Sequence, residues 1–491
     1  MTDIQVVRGE IQPWTDYPSS RHPAGGAALL AFLDDVLPAS AARTLVAGPH
    51  SVEVLRLVAA RSEHLTVLIR SVSDATDLRE ALPGDSVTIV TGALDGYTAA
   101  PFDVVLAVDG LDRVLGADSD DLNWPQRADL LRALTGPGTL LLVGVENEFA
   151  LTALYDRRPV DARHGDDEWR PLHDDPARPT SPEQVIAALP TTRLYASFDS
   201  SAGVTHTLLD VAAAADTRPG RLGAILATAG LAAAETPLLA PVSDGAAAAA
   251  RAGLLGAVAP GWLAVCGPAA ATHTAYTPTL RLDLGDDGWT VGDRTIGDVE
   301  TVETTLFRLA AAEDVPAFRA YADRLGLADG VFRLDDLFPY GESWVTGIVA
   351  VPADATRTEL LAAAWFRFRD RLIAQHRRHP WPPWMVEGDD LVTTWLAMSG
   401  VEATPELLKR GRELAPSSVE DLSLLDELAD ADADRLKAKE MAGRIFGLER
   451  TLRFRDQSLK TREAQIRKMR DDLRRFRNSP AMKLHEVARK A

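Results

Sequence analysis

The chain has 491 residues, which is too long for one hydrophobic core, so two or three domains are expected. Its hydrophobic content of 46% and charged content of 25% are ordinary for a globular protein, and a single cysteine, Cys266, excludes an internal disulfide framework and any multi-cysteine metal site. The formal net charge of −19 divides into about −30 for residues 1–434 and about +11 for residues 435–491, so the acidic body is a poor candidate for binding nucleic acid.

Strands and helices are predicted to alternate along residues 28–215, after an irregular, proline-containing segment over residues 1–27. The predicted strands are 44–48, 65–70, 86–91, 102–108, 139–145, 192–197 and 203–210. Nearly continuous apolar runs, as in 104–108, are typical of parallel strands covered on both faces. Only a short loop separates the last two strands, so that pair is predicted to be antiparallel. The pattern predicts a doubly wound, Rossmann-like α/β domain with seven strands.

Residues 216–400 are predicted to form a second, accessory α/β domain. Alanine-rich helices, a few short strands and a long helix over 358–376 follow one another, and the long helix ends at a proline-rich turn that contains Trp381 and Trp384. These tryptophans, with His379, could stack on a sugar, or they could pack the end of the domain. Tyr340 and Trp344 leave the same two alternatives open.

The last part of the chain predicts a coiled coil. An acidic helical linker is expected over residues 401–434, a coiled coil over 435–480 and a basic tail over 481–491. The seam has alternating spacings of three and four and consists of Ala438, Met441, Ile445, Leu448, Leu452, Arg455, Leu459, Arg462, Ile466, Met469, Leu473 and Phe476. We therefore expect a homodimer, no nucleic-acid partner and at most a weak attraction to an anionic membrane surface.

Candidate site residues follow the ends of the predicted strands. The first strand runs into the turn Gly48-Pro49-His50 before a helix, an arrangement that presents backbone N–H groups to a ligand. Asp109 and Asp112 follow a later strand, where ligands bind in open α/β sheets. Each aspartate could instead cap a helix in a solvated turn, and His50 could be a base or a surface histidine.

Two segments carry a resemblance to a known family. Residues 102–114 (FDVVLAVDGLDRV) look like the fourth strand and acidic turn of the class I S-adenosylmethionine (SAM)-dependent methyltransferases, and residues 136–142 (GPGTLLL) look like the turn that opens their fifth strand. The resemblance covers about residues 28–212. It implies SAM as the cofactor, with contacts from Gly48, Pro49, His50, Arg70, Gly92, Ala93, Leu94 and Asp109. The catalytic candidates are Asp109, Asp112 and His50, and no metal is expected.

The chain departs from this family where the cofactor would be held. Val46 stands in place of an acidic residue, His50 and Val52 in place of glycines, and Ile69-Arg70 where a carboxylate normally accepts the ribose hydroxyls. Neither an apolar nor a cationic side chain can accept those hydrogen bonds.

Two functions from different classes therefore remain open. The first is SAM-dependent methyl transfer to a small molecule or glycan in a cytoplasmic protein. Through its His-Pro-Trp-Pro turn at residues 379–382, the accessory region is similar to the region that follows a methyltransferase-like domain in some bacterial proteins linked to surface polysaccharide synthesis. The second is a catalytically inactive, methyltransferase-like scaffold that dimerises through its coiled coil and binds protein partners.

Overall fold

The computed structural model of the chain describes residues 4–11, 14–156, 158, 175–201, 203–216, 220–231, 242–386, 388–415, 419–478 and 480. Residues 1–421 form one compact unit and residues 422–491 form a second. The predicted basic tail, 481–491, lies outside the described residues, as do residues 416–418 of the predicted linker.

The strands of the described residues belong to one large sheet and one separate hairpin. The sheet strands are β1 (Gln5–Val6), β2 (Ala41–Ala47), β3 (Ser62–Ile69), β4 (Val87–Thr91), β5 (Phe102–Ala107), β6 (Thr135–Glu146), β7 (Thr191–Ser201), β8 (Val204–Asp210), β9 (Gly261–Cys266), β10 (Ala275–Tyr276), β11 (Arg281–Gly285), β12 (Gly288–Val291) and β13 (Arg294–Ile296). The hairpin consists of β14 (Leu337–Tyr340) and β15 (Ser343–Thr346).

The helices before residue 300 cover both faces of the sheet, and those over residues 302–414 form a separate layer. Those up to the end of the sheet are α1 (Ala27–Val36), α2 (Val52–Ala60), α3 (Val72–Ala81), α4 (Trp124–Arg132), α5 (Leu151–Tyr155), α6 (Pro182–Ala188), α7 (Val211–Ala215), α8 (Gly220–Leu231) and α9 (Val242–Arg251). The later ones are α10 (Val302–Ala311), α11 (Val315–Leu327), α12 (Arg357–Ala374), α13 (Asp390–Met398), α14 (Pro405–Leu414) and α15 (Val419–Arg477).

The parallel core predicted from the apolar runs is confirmed. The strand order is β1-β4-β3-β2-β5-β6-β9-β7-β8-β10-β11-β12-β13, and the pairs from β4 through β6 are parallel. The chain order reverses between β2 and β5, which makes that pair the topological switch point where open α/β sheets bind ligands. Apolar side chains fill both faces of these strands, since Leu45 packs in one core cluster and Val46 in the other.

The far half of the sheet differs from the seven-strand expectation. The antiparallel pairing of β7 with β8 is confirmed, but β9 inserts between β6 and β7 and is antiparallel to both. Strands β10 to β13 extend the same sheet, so it runs across the predicted boundary at residue 215 and contains thirteen strands among the described residues. Strand β9 is buried along its whole length, which is why it takes a central place in the sheet.

Residues 302–415 form a mainly helical layer with its own apolar core around Trp365, Trp381 and Trp395. The first strand of this region is β14, which begins at Leu337. Asp336 lies just before it, and its buried carboxylate accepts hydrogen bonds from the N–H groups of Ile348 (3.1 Å) and Val349 (2.7 Å), which follow β15. Trp381 lies in the core, whereas Trp384 is 68% exposed.

Helix α15 extends over 59 residues, which is about 90 Å at ~1.5 Å per residue. The apolar members of the predicted seam beyond Ala438 are all 52–62% exposed: Met441, Ile445, Leu448, Leu452, Leu459, Ile466, Met469, Leu473 and Phe476. In the described parts of the chain, no helix is both long and apolar enough to cross a membrane.

Candidate functional site

The carboxyl ends of β2, β3, β4 and β5 bring the predicted cofactor-contacting residues to one edge of the sheet. Gly48 follows β2 with a positive φ of 84°, and a Cβ built on it would lie 3.8 Å from the Cβ of Asp109. Helix α2 starts immediately afterwards, with the Ser51 hydroxyl accepting a hydrogen bond from the N–H of Val54. The local geometry is therefore the strand, turn and helix that the sequence predicts.

The chain itself covers this edge. All eight predicted cofactor-contacting residues are buried: Gly48, Pro49, His50, Arg70, Gly92, Ala93, Leu94 and Asp109. The covering residues lie within 4–11 and 14–26, and we call these two stretches together the N-terminal strap. The strap starts at β1, which adds to the sheet beside β4, and ends at Gly26 before α1.

Arg70 and Asp16 form the centre of this closure. The Arg70 Nε and Nη2 atoms lie 2.8 and 2.7 Å from Asp16 Oδ1, and both side chains are at most 1% exposed. Asp16 Oδ2 also accepts hydrogen bonds from the N–H groups of Arg70 (2.6 Å) and Ser71 (3.0 Å), just before α3. A carboxylate of the chain thus fills the anion-binding position that a strand-to-helix turn offers.

Two further contacts hold the strap beside Asp16. The Asp16 N–H donates to Asp74 Oδ2 (2.6 Å), and the hydroxyl of Thr15 donates to the same carboxylate (2.8 Å). Asp74 belongs to the first turn of α3, so the strap is tied to that helix by side chain and backbone together.

Asp109 is held by Arg113. The Arg113 Nε atom donates to Asp109 Oδ2 at 2.7 Å, a second bond joins Nη2 to Oδ1, and both side chains are at most 1% exposed. Arg113 also donates to the carbonyl oxygens of Asp16 (2.9 Å) and His22 (3.1 Å) on the strap. The catalytic candidate Asp109 therefore positions an arginine that binds the strap.

His50 joins the two strands of the switch point through its ring. Its Nδ1 lies 3.0 Å from the carbonyl oxygen of Gly48, and its Nε2 accepts a hydrogen bond from the N–H of Val108 at 3.3 Å. Burial lowers the pKa of His50, so the ring is neutral, with the proton on Nδ1. Both ring nitrogens are thus engaged by the backbone, and the Tyr17 hydroxyl donates to the His50 carbonyl (3.1 Å).

The strap covers the carboxyl end of β4 and the loop after it through close backbone contacts. A Cβ added to Gly92 would meet the Val7 side chain and carbonyl at 2.5 Å, and the Ala93 N–H donates to the carbonyl of Arg8 at 2.9 Å. The loop predicted to lie beside an adenine ring is therefore packed against the strap.

Asp112 lies apart from these residues. Its two carboxylate oxygens contact Arg127 Nη1 (2.9 Å) and Arg178 Nη2 (2.6 Å), and Arg127 also pairs with Asp175 at 2.6 Å. This cluster ties the turn after β5 to α4 and to the residues before α6.

A small polar cavity remains beside the switch point. It has a volume of about 70 Å³ and lies among Arg21, Asp109, Glu146, Ser197, Asp199 and Trp262. Burial raises the pKa of Asp199 to about 6, although the Ser197 hydroxyl donates to it at 2.8 Å. Since pockets for drug-sized ligands usually span roughly 300–1,000 Å³, this space suits a few water molecules rather than a nucleoside.

The residues present do not fit SAM. The position expected to accept the ribose hydroxyls is a cation already neutralised by Asp16, and the loop expected beside the adenine is in contact with the strap. Among the described residues, no cluster of three His, Cys, Asp or Glu side chains is arranged to hold a metal ion.

Sequence reasoning missed the residues that close the site, namely Asp16, Arg113 and Arg21, whose guanidinium donates to the carbonyl oxygen of Asp109 (3.4 Å). A signal existed in Arg70, because an arginine at the end of a buried strand needs a carboxylate partner. The sequence did not indicate which carboxylate that would be.

Comparison with known proteins gives only distant likenesses. No family model matches the chain, and no curated protein matches it. Among solved structures, a putative methyltransferase from Pseudomonas syringae is 14% identical, with 34% of this chain and 86% of that chain covered and a TM-score of 0.22. The N-methyltransferase NodS from Bradyrhizobium japonicum WM9 is 17% identical, with 25% and 65% covered and a TM-score of 0.20.

A third solved structure is a SAM-bound amino pentose methyltransferase from Micromonospora echinaspora. It is 23% identical, with 21% of this chain and 42% of that chain covered and a TM-score of 0.18. TM-scores near 0.2 are too low to establish a common fold.

Proposed function

We propose that this protein is a catalytically inactive scaffold with a methyltransferase-like sheet, and that it assembles through helix α15. The observation that carries the proposal is the buried ion pair between Asp16 and Arg70. It lies where the resemblance to the methyltransferases puts a cofactor's ribose, and opening it would leave a buried guanidinium without its carboxylate, at a cost of about 3–5 kcal/mol.

The remaining contacts of the strap support the same conclusion. Asp109 and His50 use their side chains to fix the strap and the switch point, so neither offers a free base to a substrate. Every predicted cofactor-contacting residue is buried by the chain itself. A function that needs no small ligand at this edge agrees with these contacts.

The assembly part of the proposal rests on the exposed seam of α15. Apolar side chains that stay 52–62% exposed at heptad spacing are stabilised when a second helix covers them. A homodimer through this seam would present two copies of the body to protein partners.

Two measurements on the full chain test the proposal. Light scattering coupled to size exclusion should give the mass of a dimer at micromolar concentration, and mass spectrometry of the denatured protein should find neither SAM nor its demethylated product. A monomeric mass would contradict the assembly, and stoichiometric release of either nucleoside would contradict the closed edge.

SAM-dependent methyl transfer to a small molecule or glycan, within surface polysaccharide synthesis, is the second candidate. Asp109 at the switch point and the small cavity beside it favour this function. It requires the strap to leave the edge and Arg70 to change partner. A methyl transfer assay with tritiated SAM and a panel of sugars and small molecules, run on the full chain, would reveal it.

A further inference from the structure

Helix α15 carries charges beside its apolar seam, and we propose that they align two copies of the helix in parallel and in register. The proposal rests on the self-association proposed above and adds the direction of the two helices. In heptad notation the a positions are Ala438, Ile445, Leu452, Leu459, Ile466 and Leu473. The d positions are Met441, Leu448, Arg455, Arg462, Met469 and Phe476.

The positions that flank the seam match opposite charges in a parallel pair. There, each g residue faces the e residue of the next heptad on the second copy. Arg444 at g would face Glu449, and Asp472 at g would face Arg477. The other four combinations join one charged with one uncharged residue, so no like charges meet. Two-fold symmetry makes each attraction occur twice.

The two arginines within the seam also find partners in this arrangement. A d side chain in a parallel pair lies beside the e residue of the facing helix. Arg455 would therefore lie beside Asp456 of the second copy, and Arg462 beside Glu463. Each of these two layers then contains two cations and two anions, which balances charges that would otherwise weaken an apolar seam.

An antiparallel pair with full overlap of the seam brings like charges together instead. In that arrangement e faces e and g faces g, so Glu449 would face Glu463 and Asp456 would face its own copy. The attraction between Arg444 and Asp472 would be the only opposite pair of charges facing each other at these flanking positions. The charge pattern therefore favours the parallel direction.

The carboxylates concerned are accessible on the isolated helix. Glu449 and Glu463 lie 3.7 and 3.5 Å from Arg453 and Arg467 one turn later, and their side chains remain 57% and 64% exposed. Such exposed pairs contribute little, typically 0–1 kcal/mol, so they leave the carboxylates able to meet a second helix.

Disulfide cross-linking tests the direction. The native Cys266 is buried, so a Met441→Cys variant places one reactive thiol near the start of the seam. In a parallel pair the two thiols share a layer, and oxidation should convert most of the protein to a covalent dimer. In an antiparallel pair they lie roughly 48 Å apart, from about 32 residues at ~1.5 Å each, and a mixture of Met441→Cys with Leu473→Cys should cross-link instead.

Charge exchange gives a second, independent readout. Arg444→Glu should weaken the dimer about three- to tenfold, and adding Glu449→Arg should restore it to within about twofold. The outward-facing Asp471→Arg serves as the control and should change nothing. Restoration by Asp472→Arg rather than Glu449→Arg would overturn the parallel direction.

Failure of the parallel direction and failure of self-association give different results. A dimer by light scattering with the antiparallel cross-link would overturn the direction and leave the assembly standing. A monomer at tens of micromolar would contradict both.

Discussion

The edge of the sheet and helix α15 differ in which side chains they bury and which they expose. At the edge, charged groups lie inside, as in the pairs of Asp16 with Arg70 and of Asp109 with Arg113, and the chain itself supplies both charges of each pair. On α15, apolar groups lie outside, more than half exposed. The described charges at the edge are paired within the chain, whereas the apolar seam of the helix is exposed and, in our proposal, is covered by a second copy. Interaction with other molecules is therefore expected at the helix.

Charged residues placed in the seam should have the largest effect, which is a loss of self-association. Leu448→Glu with Leu459→Glu should lower self-association by about 100-fold or more, because a carboxylate would have to be buried at two layers. The oligomeric mass by light scattering reports this loss. Phe446→Glu is the matched control, since Phe446 is 67% exposed but lies off the seam. If both variants stay dimeric, the contact lies elsewhere.

The edge should respond to a single missing carboxylate. Asp16→Ala leaves Arg70 buried without its anion and should lower the free energy of unfolding by about 3–5 kcal/mol. Urea denaturation measures the change. Asp118→Ala, at an exposed turn, should change it by less than about 0.5 kcal/mol. Equal stability of the two variants would mean that the strap does not depend on the pair.

Close packing of the strap can be examined at a glycine. Gly92→Ala should cost about 2–4 kcal/mol, because its φ is positive and its Cβ would meet Val7 at 2.5 Å. Gly138→Ala carries the strain of a positive φ with nothing within 4 Å and should cost only about 1 kcal/mol. Urea denaturation gives both values, and equal costs would show that the strap yields to an added methyl group.

Sequence patterns could predict the parallel strands, the switch point and the clustering of Gly48, Gly92 and Asp109 at one edge, since these follow from apolar periodicity and glycine turns. The closure could not be predicted, because the strap has no periodicity and the partner of Arg70 lies 54 residues away. The position of β9 in the strand order could not be predicted for a similar reason. Its burial is plain from its sequence, but its neighbours β6 and β7 are set by contacts distant along the chain.

The smallest expected effect is on pH dependence. The pKa of Asp199 is raised by burial to about 6, from an ordinary value near 4, so the folded state binds more protons between those values. The stability that Asp199 contributes is thus fully present below pH ~4 and is lost as the pH rises through ~6. Relative to Asp199→Asn, the wild type should lose about 1–3 kcal/mol between pH 4 and 7.

Urea denaturation at the two pH values measures this loss. Asp293→Asn, whose side chain is 94% exposed, should show no such difference from the wild type. A wild type that neither gains nor loses stability over this range, relative to Asp199→Asn, would place the carboxylate in a solvated setting, and one that gains stability would place it in an ion pair.

Calorimetric titration of SAM into the full chain tests the closed edge most directly, with Asp109→Ala alongside. The closed edge predicts no saturable heat up to millimolar SAM, for the wild type and the variant alike. Saturable micromolar binding that Asp109→Ala weakens would contradict it, and would show that the strap leaves the edge of the sheet when SAM binds.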